Sequence, residues 1–209
     1  MMLSQDLLTS WLVQFDSLVE EHKEYLTDLD SPIGDADHGN NMARGMHAAI
    51  ENLNKPSLSA LFKAVGMALV SKVGGSAGPL YGTFFMKAAK PLGDGTEVSE
   101  QDFAAALHAG LDGVTMRGKA ELGDKTMVDS LTPAISVLEE GITAGTDFAD
   151  VADQAAEAAM RAAEATTPML AKKGRASYLG ERSIGHQDPG ATSTAYLFQA
   201  LALAAHNAQ

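Results

Sequence analysis

The sequence predicts an all-α fold, an antiparallel up-and-down bundle or barrel of eight helices. Apolar residues recur about every 3.6 positions in eight successive segments. No segment shows the period-2 alternation of β-branched residues that is typical of a strand. Short connections make successive helices antiparallel. Because 209 residues is within the range of one domain, we expect residues 1–209 to form a single unit.

The first four helices are predicted from their apolar periodicity and their starting residues. The first runs from Ser4, a suitable N-cap, to Asp28. The second covers about 40–53, the third begins at Ser57, and the fourth follows Pro79, which suits a first helical turn.

The same signals define the last four helices. Ser99 and Asp102 resemble a capping box for the fifth. The sixth contains Pro133, which either bends it or lies in its first turn, and the seventh is rich in alanine. The last three helices are predicted over 126–140, 147–166 and 190–206.

Composition and charge exclude several kinds of function. The net charge of −12 argues against binding nucleic acid, which requires clustered Lys and Arg. The absence of cysteine excludes disulfides, thiolate zinc sites and cysteine nucleophiles. The first residues lack the basic start and apolar run of a signal peptide, and no apolar segment approaches the ~18 residues of a membrane span. We therefore expect a cytoplasmic protein whose partners include neither nucleic acid nor membrane.

Glycine and proline concentrate in four loops, over residues 30–39, 74–82, 118–124 and 174–190. These loops follow the first, third, fifth and seventh predicted helices. Alternate loops of an up-and-down bundle lie at the same end, so we expect all four to meet there.

The aspartate loop (residues 30–39) is a candidate metal site. Asp30, Asp35 and Asp37 can converge on one point, because a proline and two glycines within residues 30–39 exclude regular helix there. Carboxylates that share a point need a cation, and hard oxygen ligands suit Mg²⁺, Mn²⁺ or Ca²⁺. An EF-hand fits poorly, since Met46 would occupy its glutamate position. The alternative is that these aspartates are turn and cap residues.

The glycine loop (residues 74–82) is a candidate phosphate-binding segment. Its glycines let backbone N–H groups approach an anion, and a helix N-terminus adds a favourable dipole. It is not a Walker A loop, because no Gly-Lys-Ser/Thr follows. A tight turn between closely packed helices is an equally good interpretation.

The other two loops carry cations. Residues 117–127 hold two lysines and an arginine beside Glu121 and Asp124, which alone favours a solvated turn. The cationic loop (residues 172–190) has four cations within eleven residues of an otherwise acidic chain. This density indicates a polyanionic ligand or an acidic partner. The four cations are Lys172, Lys173, Arg175 and Arg182.

Two of the six histidines, His38 and His186, lie in these loops, and the others lie on predicted helices. His38 is a candidate to bind a phosphate or ribose, to orient an aspartate, or to act as a general base. A positional role is favoured over a phosphorylated histidine.

Together, the four loop sequences resemble the dihydroxyacetone kinase L family. The resemblance covers essentially the whole chain, with all motifs in order and no motif position that departs from the family pattern. The motifs are residues 34–39 with Asn41, 74–83, 117–120 with 123–127, and 174–182 with 185–190.

This resemblance implies an eight-helix barrel with a nucleotide at one end. Asp30, Asp35 and Asp37 are then expected to hold two Mg²⁺ ions on the diphosphate. The residues expected to bind ADP or ATP are His38, Gly39, Asn40, Asn41, Ser76 and Ala77, with Gly118 and Met127 at the base and ribose, and Arg175, Asp188, Pro189 and Gly190 completing the site.

The resemblance also implies a role in phosphoryl transfer. In one kind of kinase this domain is fused behind a dihydroxyacetone-binding domain and uses exchangeable ATP. In the other it is a separate subunit of about the length of this chain, so this chain resembles the second kind. There, ADP stays tightly bound, and the phosphohistidine M subunit of the phosphoenolpyruvate:sugar phosphotransferase system rephosphorylates it in place. The resulting ATP donates its γ-phosphoryl group to dihydroxyacetone on a K subunit, which would supply any general base.

Three alternatives stay open at this point. The same kind of subunit serves another small keto-sugar or polyol, or the chain is a nucleotide-bound regulatory module that binds a transcription regulator. In the third, it is a metal-dependent phosphohydrolase. The sequence does not decide among them, because the acceptor would bind to the partner.

Overall fold

The computed structural model describes residues 2–208, which form an all-α fold, as predicted. The described chain contains nine α-helices, a nine-residue 3₁₀-helix (Arg175–Ser183) and two three-residue strands, β1 (Met2–Ser4) and β2 (Glu97–Ser99). None of these helices has both the length and the apolar character that a membrane crossing requires. The α-helices are α1 Gln5–Glu21, α2 Lys23–Asp30, α3 His38–Ile50, α4 Leu58–Lys72, α5 Ala77–Leu92, α6 Glu100–Gly118, α7 Met127–Ala144, α8 Phe148–Ala165 and α9 Pro189–Asn207.

The structure divides the first predicted helix in two. His22, with φ −101° and ψ 15°, leaves the helical conformation, so α1 ends at Glu21 and α2 begins at Lys23. The break lets α2 pack closely on α3, where Gly39 has no room for a side chain against the Lys23 carbonyl. The other seven predicted helices correspond to α3–α9.

The helices form a closed ring. Each of α3 to α8 packs against the helix that follows it, α9 returns to α1, and α1 contacts α3. Eight helices therefore complete the barrel, and α2 extends the corner between α1 and α3. α3, α5, α7 and α9 begin at one end of the barrel, and α4, α6 and α8 begin at the other.

Trp11 joins five of these helices. It is fully buried on α1, and its ring centroid lies 5.6–6.1 Å from those of Phe62, Phe85 and Phe103. Its Nε1 donates a 2.7 Å hydrogen bond to the Leu197 carbonyl of α9. Tilted and edge-on aromatic pairs add roughly 0.5–1.5 kcal/mol each beyond the area that they bury. One buried side chain thus links α1 to four other helices.

N-cap hydrogen bonds confirm three predicted helix starts. The hydroxyls of Ser4, Ser57 and Ser99 each accept the backbone N–H three residues further along. β1 and β2 pair antiparallel, with Leu3 opposite Val98. Three-residue strands are too short to show a period-2 pattern, so the sequence did not predict them.

Candidate functional site

Four α-helices begin at one cavity of about 410 Å³. Its lining includes the first residues of α3, α5, α7 and α9, which are His38, Ala77, Met127 and Pro189. The four loops rich in glycine or proline lead into these helices, so the prediction that the loops meet at one end is confirmed. A cavity of this size suits a small-molecule ligand.

The helix ends make this cavity attractive to anions. The first turn of an α-helix has backbone N–H groups without intrahelical partners and carries roughly half a positive charge. Phosphate groups bind readily at such ends. Four of them around one volume favour a ligand with several negative charges.

Three carboxylates line the same cavity. One oxygen from each of Asp30, Asp35 and Asp37 lies within 4.8 Å of the other two. Asp30 is 8% exposed, and its Oδ2 accepts the backbone N–H groups of Asp37 (2.9 Å) and His38 (3.3 Å). Asp30 therefore holds the loop as well as contributing to the acidic cluster.

Three features turn the aspartate loop back on itself. The Asp30 carbonyl accepts the N–H groups of Ile33 (3.1 Å) and Gly34 (2.6 Å). A side chain at Gly34 would collide with the Asp30 carboxylate, so only glycine fits there. Ala36 has a φ of 58°, a left-handed conformation that costs a non-glycine residue about 1 kcal/mol. The strained turn at Ala36 lies between Asp35 and Asp37 and helps to bring their carboxylates together.

This set of donors fits a hard divalent cation. The ligands are all carboxylate oxygens, which suit Mg²⁺ better than a softer metal. Within residues 2–208 no other group of three acidic or histidine side chains has a metal-binding spacing. Mg²⁺ commonly takes only a few protein ligands and completes its shell with phosphate oxygens and water. The helix ends in the same cavity favour such a phosphate.

The glycine loop forms a second wall. Gly74 packs directly on Asn41, because an added Cβ would lie 2.8–2.9 Å from the Asn41 amide atoms. Asn41 is buried, and Arg44 donates a 2.6 Å hydrogen bond to its Oδ1. Ser76 is the N-cap of α5, but its hydroxyl does not cap the helix. This hydroxyl and the first N–H groups of α5 are therefore free to meet a ligand.

An apolar wall faces the same volume. Leu80, Val114 and Met127 line it together with Gly118. A capping box between Thr126 and Asp129 starts α7 and fixes the position of Met127. Apolar side chains near unpaired N–H groups suit a ligand that has a ring at one end and phosphates at the other.

The cationic loop packs on the aspartate loop. Arg175 forms a 2.7 Å ion pair with Asp35, and Ala171 and Ala176 pack with Ile33 in a small apolar cluster. The Arg175 side chain is 66% exposed and that of Asp35 is 37% exposed, so the pair itself contributes less than about 1 kcal/mol. A phosphate or a cation can therefore compete for either partner.

His38 is neutral and is held by buried hydroxyls. Its Nε2 lies 2.9 Å from Ser193 Oγ, which lies 2.7 Å from the Tyr81 hydroxyl. The Ser193 hydroxyl lies within donating distance of the Gly190 carbonyl (3.1 Å), and with its proton placed there it accepts from His38 Nε2–H and from Tyr81. Burial lowers the pKa of His38 to about 4, although two nearby aspartates oppose the shift. This tautomer leaves Nδ1 as an acceptor for a ligand hydroxyl.

Asp188 caps α9 at the cavity. Its Oδ2 accepts the Ala191 N–H at 2.7 Å, and Pro189 is the first helical residue. Burial raises the pKa of Asp188 to about 7, against the effect of the hydrogen bond from Ala191. Gly190 lies beside the Met127 backbone, so the starts of α7 and α9 are neighbours.

All but two of the residues expected to bind nucleotide or metal line the cavity. The two exceptions are Gly39 and Asn40. Gly39 is buried where α3 packs on α2, and Asn40 is exposed on the first turn of α3. Both lie beside the cavity without being part of its wall.

Sequence reasoning missed other residues of the site. Tyr81, Ile33 and Lys125 line the cavity, and Ser193 supports it through His38. Residues 192–194 form a Thr-Ser-Thr run in an otherwise apolar helix, which was a usable signal because buried hydroxyls need partners. Lys125 offered no such signal, since its neighbours resemble those of a surface lysine.

A family model for the DAK2 domain matches residues 32–203. The chain belongs to the DAK2 domain family. The match begins in the aspartate loop and ends in α9. Within this DAK2 domain lie the four helix N-termini and the whole cavity wall except Asp30.

Two bacterial relatives match this DAK2 chain over almost their full length. The PEP-dependent dihydroxyacetone kinase ADP-binding subunit DhaL of Escherichia coli (strain K12) is 44% identical over 208 residues, which cover 98% of this chain and 99% of that protein. The PTS-dependent dihydroxyacetone kinase ADP-binding subunit DhaL of Lactococcus lactis (strain IL1403) is 45% identical over 203 residues, covering 96% and 97%.

A solved kinase shares the fold of this DAK2 chain. The dihydroxyacetone kinase from C. freundii, crystallised with AMP-PNP and Mg²⁺, superimposes with a TM-score of 0.72 at 27% identity. The match covers 93% of this chain and 33% of the kinase. The chain thus spans about a third of that protein's length.

Proposed function

We propose that this chain is the ADP-binding subunit of a phosphoenolpyruvate-dependent dihydroxyacetone kinase. The proposal is carried by one observation, the convergence of four helix N-termini and three carboxylates on a single cavity. A nucleoside diphosphate with bound Mg²⁺ presents the complementary charges. Similarity to two DhaL subunits over almost the whole chain supports the choice of reaction. Residues 1–209 would then form one nucleotide-binding domain, and the protein would be cytoplasmic.

The cavity residues would divide by role. Asp30, Asp35 and Asp37 would hold two Mg²⁺ ions, which supply charge neutralisation and orientation of phosphate oxygens. The nucleotide contacts would be His38, Gly39, Asn40, Asn41, Ser76 and Ala77, with Gly118 and Met127 at the base and ribose, and Arg175, Asp188, Pro189 and Gly190 completing the site.

The chain's own contribution would be positioning and fixed positive charge. Phosphoryl transfer depends mainly on these two factors and needs little covalent chemistry from the protein. The helix ends supply charge that does not have to reorganise during the reaction. His38 is a weak base with a pKa of about 4, and its Nε2–H is used on Ser193. Activation of the acceptor hydroxyl is therefore assigned to the partner.

ADP would remain tightly bound through the cycle. The phosphohistidine of an M subunit would transfer its phosphoryl group to the β-phosphate of bound ADP, which becomes ATP. The γ-phosphoryl group would then pass to a hydroxyl of dihydroxyacetone on the K subunit, which restores ADP and yields dihydroxyacetone phosphate. A transcription regulator would bind the same chain in a way that depends on whether it holds ADP or ATP.

The first test uses the protein as purified. Freshly purified protein is denatured, and the released small molecules are analysed by mass spectrometry, with ADP expected. The second test is reconstitution with a K subunit and a phosphohistidine donor, with formation of dihydroxyacetone phosphate expected. Absence of nucleotide contradicts the tightly bound cofactor. Phosphorylation of a different keto-sugar replaces the substrate only, whereas phosphate release from ATP by the isolated chain favours a phosphohydrolase.

A further inference from the structure

Lys125 is a buried cation that the proposed reaction leaves without a role. Its side chain is 1% exposed, and it lies between Asp124 and Thr126, just before α7. Among residues 2–208 the Lys125 amine forms no salt bridge within 4.0 Å. Burial lowers the pKa of this amine, so other polar groups must replace the water that a cation loses.

Three backbone carbonyls do so. The Lys125 Nζ donates to the carbonyls of Ser183 at 2.6 Å and Met169 at 3.1 Å, with a longer 3.5 Å contact to Thr167. An ammonium group has three N–H donors and no acceptor, so all its donors are used. The amine therefore has none left for a phosphate, although the side chain lines the cavity.

The three carbonyls lie at the two ends of one chain segment, residues 170–182. Thr167 and Met169 precede this segment, and Ser183 follows it. Lys125 thus fastens both ends of the segment to the start of α7. These hydrogen bonds join residues that are 42 to 58 positions apart in the chain. The place where they hold the two ends of the segment together is called its base.

Two further hydrogen bonds close the same base. The Gly185 N–H donates to the Thr167 carbonyl at 2.8 Å, and the Ala171 N–H donates to Ser183 Oγ at 3.0 Å. These bonds join the incoming and outgoing chain to each other. Lys172 also bonds Asp124, through its backbone N–H (3.1 Å) and its amine (3.6 Å), which ties the incoming chain to the residue before Lys125. Among residues 2–208, only the Lys125 amine bonds both the incoming and the outgoing chain.

The fastened segment carries groups that lie on the metal cluster. Arg175 pairs with Asp35 at 2.7 Å, and Ala176 packs with Ile33. Lys173 and Gly174 also line the cavity. Whatever fixes the base of the segment therefore fixes these groups beside the three carboxylates.

The backbone at Lys125 has a conformation that disfavours a side chain. Its φ of 63° lies in the left-handed region, where a non-glycine residue is strained. Glycine would adopt this conformation without strain but has no amine. The side chain therefore offsets a backbone cost at this position.

We propose that Lys125 is a positioning residue for nucleotide retention, which fastens residues 170–182 over the bound nucleotide and slows its release without touching it. This inference rests on the function proposed above. In this inference the Lys125 amine binds the backbone carbonyls at the base of the segment. Arg175 and the helix N-termini bind the ligand.

The test compares Lys125→Met, which keeps the length and removes the charge, with Lys125→Arg, which keeps charge and donors. Lys63→Met, on the exposed face of α4, is the matched control. Dissociation and association rates of a fluorescent ADP analogue are measured by stopped flow with Mg²⁺. Limited trypsin digestion of nucleotide-free protein reports opening of the segment through cleavage at Lys172, Lys173, Arg175 and Arg182.

We expect Lys125→Met to release the analogue about tenfold faster or more, with an almost unchanged association rate and faster cleavage in the segment. Lys125→Arg should restore much of both properties, and Lys63→Met should behave like wild type. If Lys125→Met does not fold, Lys125→Gln retains two donors and takes its place.

Three results would overturn the inference. These are an unchanged dissociation rate, faster dissociation without faster cleavage, and an equal loss of association rate in the Met and Arg variants. If wild-type protein does not bind the analogue, the proposed function fails and nucleotide retention fails with it. The digestion of nucleotide-free protein then still decides whether Lys125 fastens the segment.

Discussion

His38 Nε2 and Ser193 Oγ lie 2.9 Å apart and join the starts of α3 and α9 at the cavity. Tyr81 of α5 reaches the same hydroxyl at 2.7 Å. Burial raises the pKa of Tyr81 to about 12, so its hydroxyl stays protonated at physiological pH. Three helices thus share a buried, uncharged centre that sets the orientation of the His38 ring.

This centre predicts the effect of Ser193→Ala. The substitution removes the acceptor for His38 Nε2–H, and a neutral hydrogen bond of this kind contributes about 0.5–1.5 kcal/mol. We expect ADP affinity, measured by calorimetry with Mg²⁺, to fall by up to about tenfold. Ser71→Ala, on an exposed position of α4, is the control. Wild-type affinity in Ser193→Ala would show that the network does not orient His38 for the ligand.

The three aspartates should differ in what their removal costs. Asp35→Ala and Asp37→Ala should abolish metal-dependent retention of ADP through gel filtration and leave the helical circular dichroism unchanged. Asp30→Ala should also lower the free energy of unfolding by roughly 1–3 kcal/mol, because two backbone N–H groups lose their acceptor. Asp94→Ala, exposed at the opposite end of the barrel, is the control. Full ADP retention in Asp35→Ala would argue against the metal site.

Gly34 offers a steric test of the same site. In Gly34→Ala the added methyl group collides with the Asp30 carboxylate, so the loop must shift. We expect Mg²⁺-dependent ADP binding to weaken at least about tenfold, as measured by calorimetry. Gly95→Ala is the matched control, because its Cβ would meet nothing closer than 3.4 Å. Equal affinities in the two variants would contradict the close approach of Gly34 to Asp30.

Asp188 predicts a dependence of stability on pH in nucleotide-free protein. The pKa of an aspartate is ordinarily 3.8, as in the unfolded chain, and that of Asp188 is about 7 in the fold. Between these values the folded state binds more protons than the unfolded chain, so the contribution of Asp188 to stability is present at low pH and is lost as pH rises towards 7. The shift corresponds to a few kcal/mol, on the order of 1.4 kcal/mol per pKa unit.

Asp188→Asn isolates this contribution. Asparagine still caps α9 but does not ionise, so the variant should gain stability relative to wild type as pH rises from about 4 to about 7. Comparison of the two proteins is needed because the lowered pKa of His38 gives an opposite slope. Denaturant unfolding after treatment with a chelator measures the difference. A difference that does not change with pH would contradict the raised pKa of Asp188.

Much of the fold could be predicted from local sequence. Ser57 and Ser99 started helices where predicted, because an N-cap needs only a hydroxyl and the next few residues. The break at His22 could not be predicted, since polar residues there are compatible with a continuous helix. It follows from the packing of α2 on α3 through Gly39, a contact that local periodicity does not contain.

The sequence alone determined the all-α class, the order of the helices, and the acidic cluster of Asp30, Asp35 and Asp37, because each depends on residues close together in the chain. Only the tertiary structure decided which polar side chains line the cavity and which hydrogen-bond within the fold. His38 and Ser193 are 155 positions apart, and the carbonyls that take up the Lys125 amine are 42 to 58 positions away. Burial and hydrogen-bond partners arise from such long-range contacts, so charge and spacing in the sequence could not reveal them.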